Sequence, residues 1–132
     1  MTELIRVMYV EDEPDIRAVA KLALEAVGGL TVSLCERGDQ AVAEAERFAP
    51  QMILLDVMMP GMDGPSTLKA LSTHAQLSRI PVAFMTAKVQ PQEIEHFKSL
   101  GAVGVIAKPF DPMTLAEQVR TLWQQASSRG DD

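Results

Sequence analysis

The chain has 132 residues, 47% of them hydrophobic and 23% charged, and eighteen acids against twelve Lys and Arg leave a net charge of −6. That length suits one domain with a sizeable core, and the apolar fraction excludes an intrinsically disordered chain. The acidic balance argues against charge-driven binding to nucleic acid or anionic membrane, and the lone Cys35 excludes an internal disulfide. No apolar run approaches the length of a membrane span, and the N-terminus MTELIRVMYVED reaches acids too soon for a signal peptide. A soluble cytoplasmic domain is the expectation.

In chain order, Ile5-Arg6-Val7-Met8-Tyr9-Val10 is a β-rich run that stops at Glu11-Asp12-Glu13. From Pro14, the apolar positions Ile16, Val19, Ala20, Ala23, Leu24 and Val27 keep helical spacing, and Gly28-Gly29 ends that helix. A second strand follows at 30–34 and a second helix at 39–48. The apolar run Met52-Ile53-Leu54-Leu55 predicts a third strand that closes on Asp56. The loop VMMPGMDG then leads to a helix from Pro65. Next come the strand Val82-Ala83-Phe84-Met85, a helix over 91–100 stopped by Gly101, and a strand over 103–107. The last helix opens with Asp111 as N-cap and Pro112 at its first position, and packs through Leu115, Val119 and Leu122. Past Trp123 the composition, QQASSRGDD, is that of a tail, so the domain is expected over 1–125 with a flexible segment over 126–132.

Strict β–α alternation implies a parallel sheet covered by helices on both faces, with right-handed crossovers. In such open sheets the chemistry gathers at the carboxyl ends of the strands. There the chain places Glu11 and Asp12, then Asp56, then Thr86, then Lys108 followed by Pro109. Each alone has an ordinary reading: acids favour a helix N-terminus, Asp suits a turn, and a strand-end lysine is often solvated. Together they set a charge problem, because two carboxylates at close range repel by about 4 kcal/mol at an effective dielectric of 20. Counter-charge or protonation has to relieve it. Lys108 with a divalent cation supplies that charge, and hard oxygen ligands with an incomplete protein shell suit Mg²⁺. A carboxylate beside such an ion can act as a nucleophile toward phosphorus, with the ammonium and the hydroxyl binding phosphoryl oxygens.

The segments VEDEPD, LLDVMMPGMDG, PVAFMTAK and GVIAKPF, in this order and spacing, resemble the receiver domains of two-component response regulators, of which the chemotaxis regulator is typical. The resemblance spans roughly residues 4–125. It implies a flavodoxin-like, doubly wound sheet of order 2-1-3-4-5 with five helices. It implies Asp56 as the phosphorylated residue, acting with Lys108 and Thr86. It also implies a Mg²⁺ site made by Asp12, by Glu11 largely through water, by Asp56 and by the backbone carbonyl of Met58. The Lys108–Pro109 bond is expected to be cis. A phosphohistidine on a sensor histidine kinase or histidine phosphotransfer protein is the implied donor, and altered binding of a downstream protein the implied output. The domain is thus expected to be a signalling module that catalyses its own phosphorylation, rather than an enzyme with a separate substrate. It is expected to bind neither nucleic acid nor membrane directly, as a monomer or a phosphorylation-dependent homodimer. Whether it stands alone or comes from a hybrid kinase or larger regulator stays open, and no attached output domain is expected.

Two positions depart from the family pattern. Glu11 stands where Asp is usual, and Val105 stands where many members carry Tyr or Phe as partner to the switch threonine, here Thr86. Met58 and Lys88 occupy places that influence water access to the acceptor, and the apolar Met58 implies slow hydrolysis. Other classes fit less well. A dehalogenase-like phosphatase needs a second Asp two positions after Asp56, where Met58 stands, and a flavodoxin-like cofactor binder needs a phosphate loop where EDEPD would repel phosphate. A pseudo-receiver that binds protein without phosphorylation remains the third reading. His74, His96 and Cys35 are expected to be structural, the methionines and Trp123 to fill space, and Ala18 with Leu22, between Arg17 and Lys21, to offer a surface strip for a partner.

Overall fold

The computed structural model describes residues 3–130. Within them five strands alternate with five helices: β1 (Arg6–Val10), α1 (Pro14–Lys21), β2 (Thr31–Cys35), α2 (Ala41–Phe48), β3 (Met52–Asp56), α3 (Gly64–Ser72), β4 (Val82–Thr86), α4 (Pro91–Ser99), β5 (Gly104–Ala107) and α5 (Leu115–Gly130). The strands form one sheet of order β2-β1-β3-β4-β5, and every pairing is parallel. This is the flavodoxin-like order that the family resemblance implies.

Helices on both faces explain why the central strands read as unbroken apolar runs: β3 and β4 are buried at every position. Alternation sorts their side chains into two cores. Val7, Tyr9, Leu54 and Met85 join Ala20, Leu24, Leu115 and Val119 on the side of α1 and α5. Met8, Val10, Ile53, Leu55 and Phe84 join Ala45, Leu68 and Phe97 on the side of α2, α3 and α4. The chain crosses from β1 to β2 on one side and to β3 on the other, so the carboxyl ends of β1 and β3 flank the crevice where the winding reverses.

Three expectations need correction. Val19 and Val27 are exposed, and the buried stripe of the first helix is narrowed to Ala20, Ala23 and Leu24. The small alanines bring the helix close to the sheet and leave Val19 at the rim; beyond Lys21 the helix widens into a π turn, Leu22–Val27, which displaces Val27 from its α-helical position. The last helix starts at Leu115 rather than Pro112: residues 112–114 form a turn on Asp111, whose carboxylate accepts from the Met113 amide at 2.9 Å and whose carbonyl accepts from the Leu115 amide at 3.0 Å. That helix then runs to Gly130, through positions where a flexible tail was expected; 131–132 lie outside the described residues.

Candidate functional site

The strand register assembles the site. Val10 pairs with Leu55, so the next residues out, Glu11 and Asp56, stand side by side. Asp56 in turn pairs with Met85 at the end of β4, and Thr86 pairs with Ala107, immediately before Lys108. The Lys108–Pro109 peptide is cis, and the Lys108 amide donates to the Thr86 carbonyl at 2.9 Å. Asp12, Asp56, Met58, Thr86 and Lys108 all line one open pocket of about 240 Å³.

Lys108 is the hub. Its Nζ donates to Asp56 Oδ1 at 2.9 Å and to Glu11 Oε1 at 2.8 Å, joining residues distant in sequence. Glu11 is fully buried and Asp56 nearly so. Glu11, Asp12 and Asp56 each offer an oxygen within 4.8 Å of the others. Three carboxylates against one ammonium leave two negative charges unmatched, and the donors are hard oxygens at the edge of a pocket. That set fits Mg²⁺ in both charge and ligand type.

The two carboxylates on Lys108 differ in proton affinity. Burial raises the Asp56 pKa and the Glu11 charge adds to it; the Lys108 hydrogen bond opposes them, and Asp56 rests at about 6 instead of 3.8. For Glu11, burial also works upward, but the hydrogen bond and charge of Lys108 prevail and hold it below the ordinary carboxylate range. Burial works to lower Lys108, and the hydrogen bonds from it to both carboxylates more than offset this, so the ammonium is held above its ordinary value.

Glu11 has further support that the sequence reading missed. Tyr9, wholly buried, donates its hydroxyl to Glu11 Oε1 at 3.1 Å, and the Glu13 amide approaches Oε2 at 3.4 Å. Burial, with the charge of Glu11, pushes the Tyr9 phenol far above its ordinary value, so it stays protonated. The signal was present in the sequence: a polar-tipped ring two residues before Glu11 lies on the same side of the strand.

The other expected residues fall as follows. Thr86 is buried, and its Oγ1 accepts from the Lys88 amide at 3.0 Å. Met58 is 79% exposed at the pocket rim. Val105 is half-buried and lies outside this pocket; it lines a separate groove between β5 and α5 with Thr114, Gln118 and Leu122. Below the acceptor, Gly64 is required by space: a Cβ there would stand 2.6 Å from the Asp56 carbonyl oxygen. Its amide donates to the Val57 carbonyl at 3.0 Å, which closes the loop, and Asp63 caps α3 by accepting from the Ser66 amide at 2.8 Å. His74 and His96 are exposed and Cys35 is buried, with burial first among the causes that push its thiol up to about 12. Trp123 packs half-buried against the core beside α1.

Comparison with known proteins agrees with this geometry. A family model described as the response regulator receiver domain matches residues 7–120. Response regulator Rre1 of Synechocystis sp. is 34% identical over 130 residues, 97% of this chain and 56% of its own length. The phosphate regulon transcriptional regulatory protein PhoB of Escherichia coli is 33% identical over 122 residues, 92% of this chain and 53% of its own length. The chain thus spans about half the length of such relatives. Among solved structures, the chemotaxis response regulator CheY4 of Vibrio cholerae superposes with a TM-score of 0.82 at 29% identity, covering 90% of this chain and 98% of its own.

Proposed function

Because the chain belongs to the response regulator receiver domain family of two-component systems, we propose that Asp56 is the phosphoacceptor of a Mg²⁺-dependent phosphotransfer. The observation that carries this reading is Lys108 bridging Asp56 and the buried Glu11 at the mouth of a pocket that also holds Asp12 and Thr86. An Asp56 carboxylate oxygen attacks phosphorus in line; a bond forms from Asp56 to phosphorus as the bond from phosphorus to the donor histidine nitrogen breaks, and the imidazole keeps that electron pair and takes up a proton. Glu11, Asp12, Asp56 and the Met58 carbonyl would hold the ion, which when bound neutralises charge on the phosphoryl oxygens. Lys108 pairs with one phosphoryl oxygen. Thr86 leaves the Lys88 amide and donates its hydroxyl to another.

Valine at 105 has no ring to follow Thr86, so the switch passes to partners through the Thr86–Lys88 segment and not through an aromatic rotation. The donor is a histidine kinase or histidine phosphotransfer protein, the output a change in protein binding, and the setting the cytoplasm; no helix among the described residues is long and apolar enough to cross a membrane. The test is intact-protein mass spectrometry after incubation with Mg²⁺ and acetyl phosphate. One added phosphoryl group is expected, absent without metal and absent in Asp56→Asn. A folded protein that takes none, while a receiver standard labels, is a pseudo-receiver or accepts from its kinase alone, and transfer from a phosphorylated kinase separates those two.

A further inference from the structure

Tyr9 is the single tyrosine of the chain. Its ring lies in the core between the sheet, α1 and α5, and its hydroxyl emerges at the site to meet Glu11 Oε1, the same oxygen that receives Lys108 Nζ. A buried phenol needs a partner, and this one has a carboxylate. Glutamate's extra methylene matters here. An aspartate on the same backbone would end about 1.5 Å short, one carbon–carbon bond, and would lose the phenol or the lysine. Each stands out in its setting: Tyr9 is a polar-tipped ring among apolar neighbours, and Glu11 is the long member of a carboxylate cluster whose other two members, Asp12 and Asp56, are aspartates.

We infer that Tyr9 is a positioning residue: its hydroxyl holds the long Glu11 carboxylate against Lys108, and so sets the ammonium where an incoming phosphoryl group is bound. This rests on the phosphoacceptor reading for its role, though not for its geometry. Glu11 on this view serves Lys108 first, and Asp12 with Asp56 supply the direct carboxylate contacts to the ion.

The experiment is a double-mutant cycle of Tyr9→Phe and Glu11→Asp, read by binding of beryllofluoride, a phosphoryl mimic, in the presence of Mg²⁺. Tyr9→Phe keeps the ring and therefore the packing. It is expected to weaken beryllofluoride binding by about three- to tenfold, the range one hydrogen bond sets, and by less than about twofold when Glu11→Asp is already present. An equal loss in both backgrounds, or none in either, overturns the proposal, since a packing role alone would be additive. A second readout needs neither metal nor phosphoryl chemistry. Protein labelled with 3-fluorotyrosine gives one fluorine resonance from Tyr9, and Glu11→Asp and Lys108→Met are each expected to shift it in the metal-free state. An unmoved resonance overturns the contact itself. A shifted resonance in a protein that binds no beryllofluoride and takes no phosphoryl group leaves the contact standing and removes the phosphoacceptor reading instead.

Discussion

The ends of β1 and β3 put two carboxylates on one lysine and treat them in opposite ways. Glu11 has the Tyr9 hydroxyl, the Lys108 ammonium and the Glu13 amide around it, and is held ionised. Among the described residues Asp56 has Lys108 alone as a side-chain donor, feels the charge of Glu11, and is pushed up to about 6. The difference is one of donor supply, and it teaches where reactivity sits. A carboxylate that is fully hydrogen-bonded is stable and inert, whereas the one left short of donors gains most from a cation and a new bond.

The largest expected effect on this contrast comes from removing the shared lysine. Lys108→Met leaves Glu11 buried without its counter-charge and should lose about 3 kcal/mol in urea unfolding at neutral pH. Asp56→Asn should act the other way, adding about 2 kcal/mol to the metal-free protein by relieving the crowded acids, while abolishing phosphorylation. Mg²⁺ should raise the melting temperature of the wild type and do much less for Asp56→Asn.

The pH dependence carries a sign that sharpens the comparison. Folding raises the Asp56 value from 3.8 to about 6, so its contribution to stability is present at low pH and lost as pH rises through that window. Glu11, lowered from 4.5, contributes stability above its ordinary value and loses it as pH falls. The advantage of Asp56→Asn over wild type, followed by urea unfolding without metal, should therefore grow between pH 4 and 6 and level off above. The smallest change is expected at the rim. Met58→Asn gives an exposed side chain able to orient water and should shorten the phosphorylated half-life by a few-fold; Met58→Ala should leave it nearly unchanged, as measured by decay of the phosphorylated mass.

Most of the site was legible in the chain because strand ends announce themselves. Apolar runs stop at Glu11-Asp12, Asp56, Thr86 and Lys108, and parallel topology carries those stops to one edge. What was not legible depends on distances between strands. That Glu11 turns to Lys108 follows from side-chain length measured against the spacing of β1, β3 and β5, which periodicity does not encode. The exposed Val19 and Val27 were misjudged for a similar reason: i, i+3, i+4 spacing assumes a regular helix against an average neighbour, and here alanines narrow the contact and a π turn alters the phase. The added length of α5 was hidden by composition, since Gln, Ala and Ser in 124–128 suit a helix end as well as a tail.

Gly64 has a consequence for how this sequence can diverge. Its amide ties back to Val57, and its bare α-carbon lies close to the Asp56 carbonyl, so the eight residues 57–64 form a closed loop of fixed length directly after the acceptor. Outward positions such as Met58 and Pro60 are exposed and free to drift. The length of the loop is not: an insertion or deletion there would shift Gly64 away from the Asp56 carbonyl and bring a side chain in. Descendants of this chain can rewrite that loop letter by letter, and cannot lengthen or shorten it without disturbing the aspartate it follows.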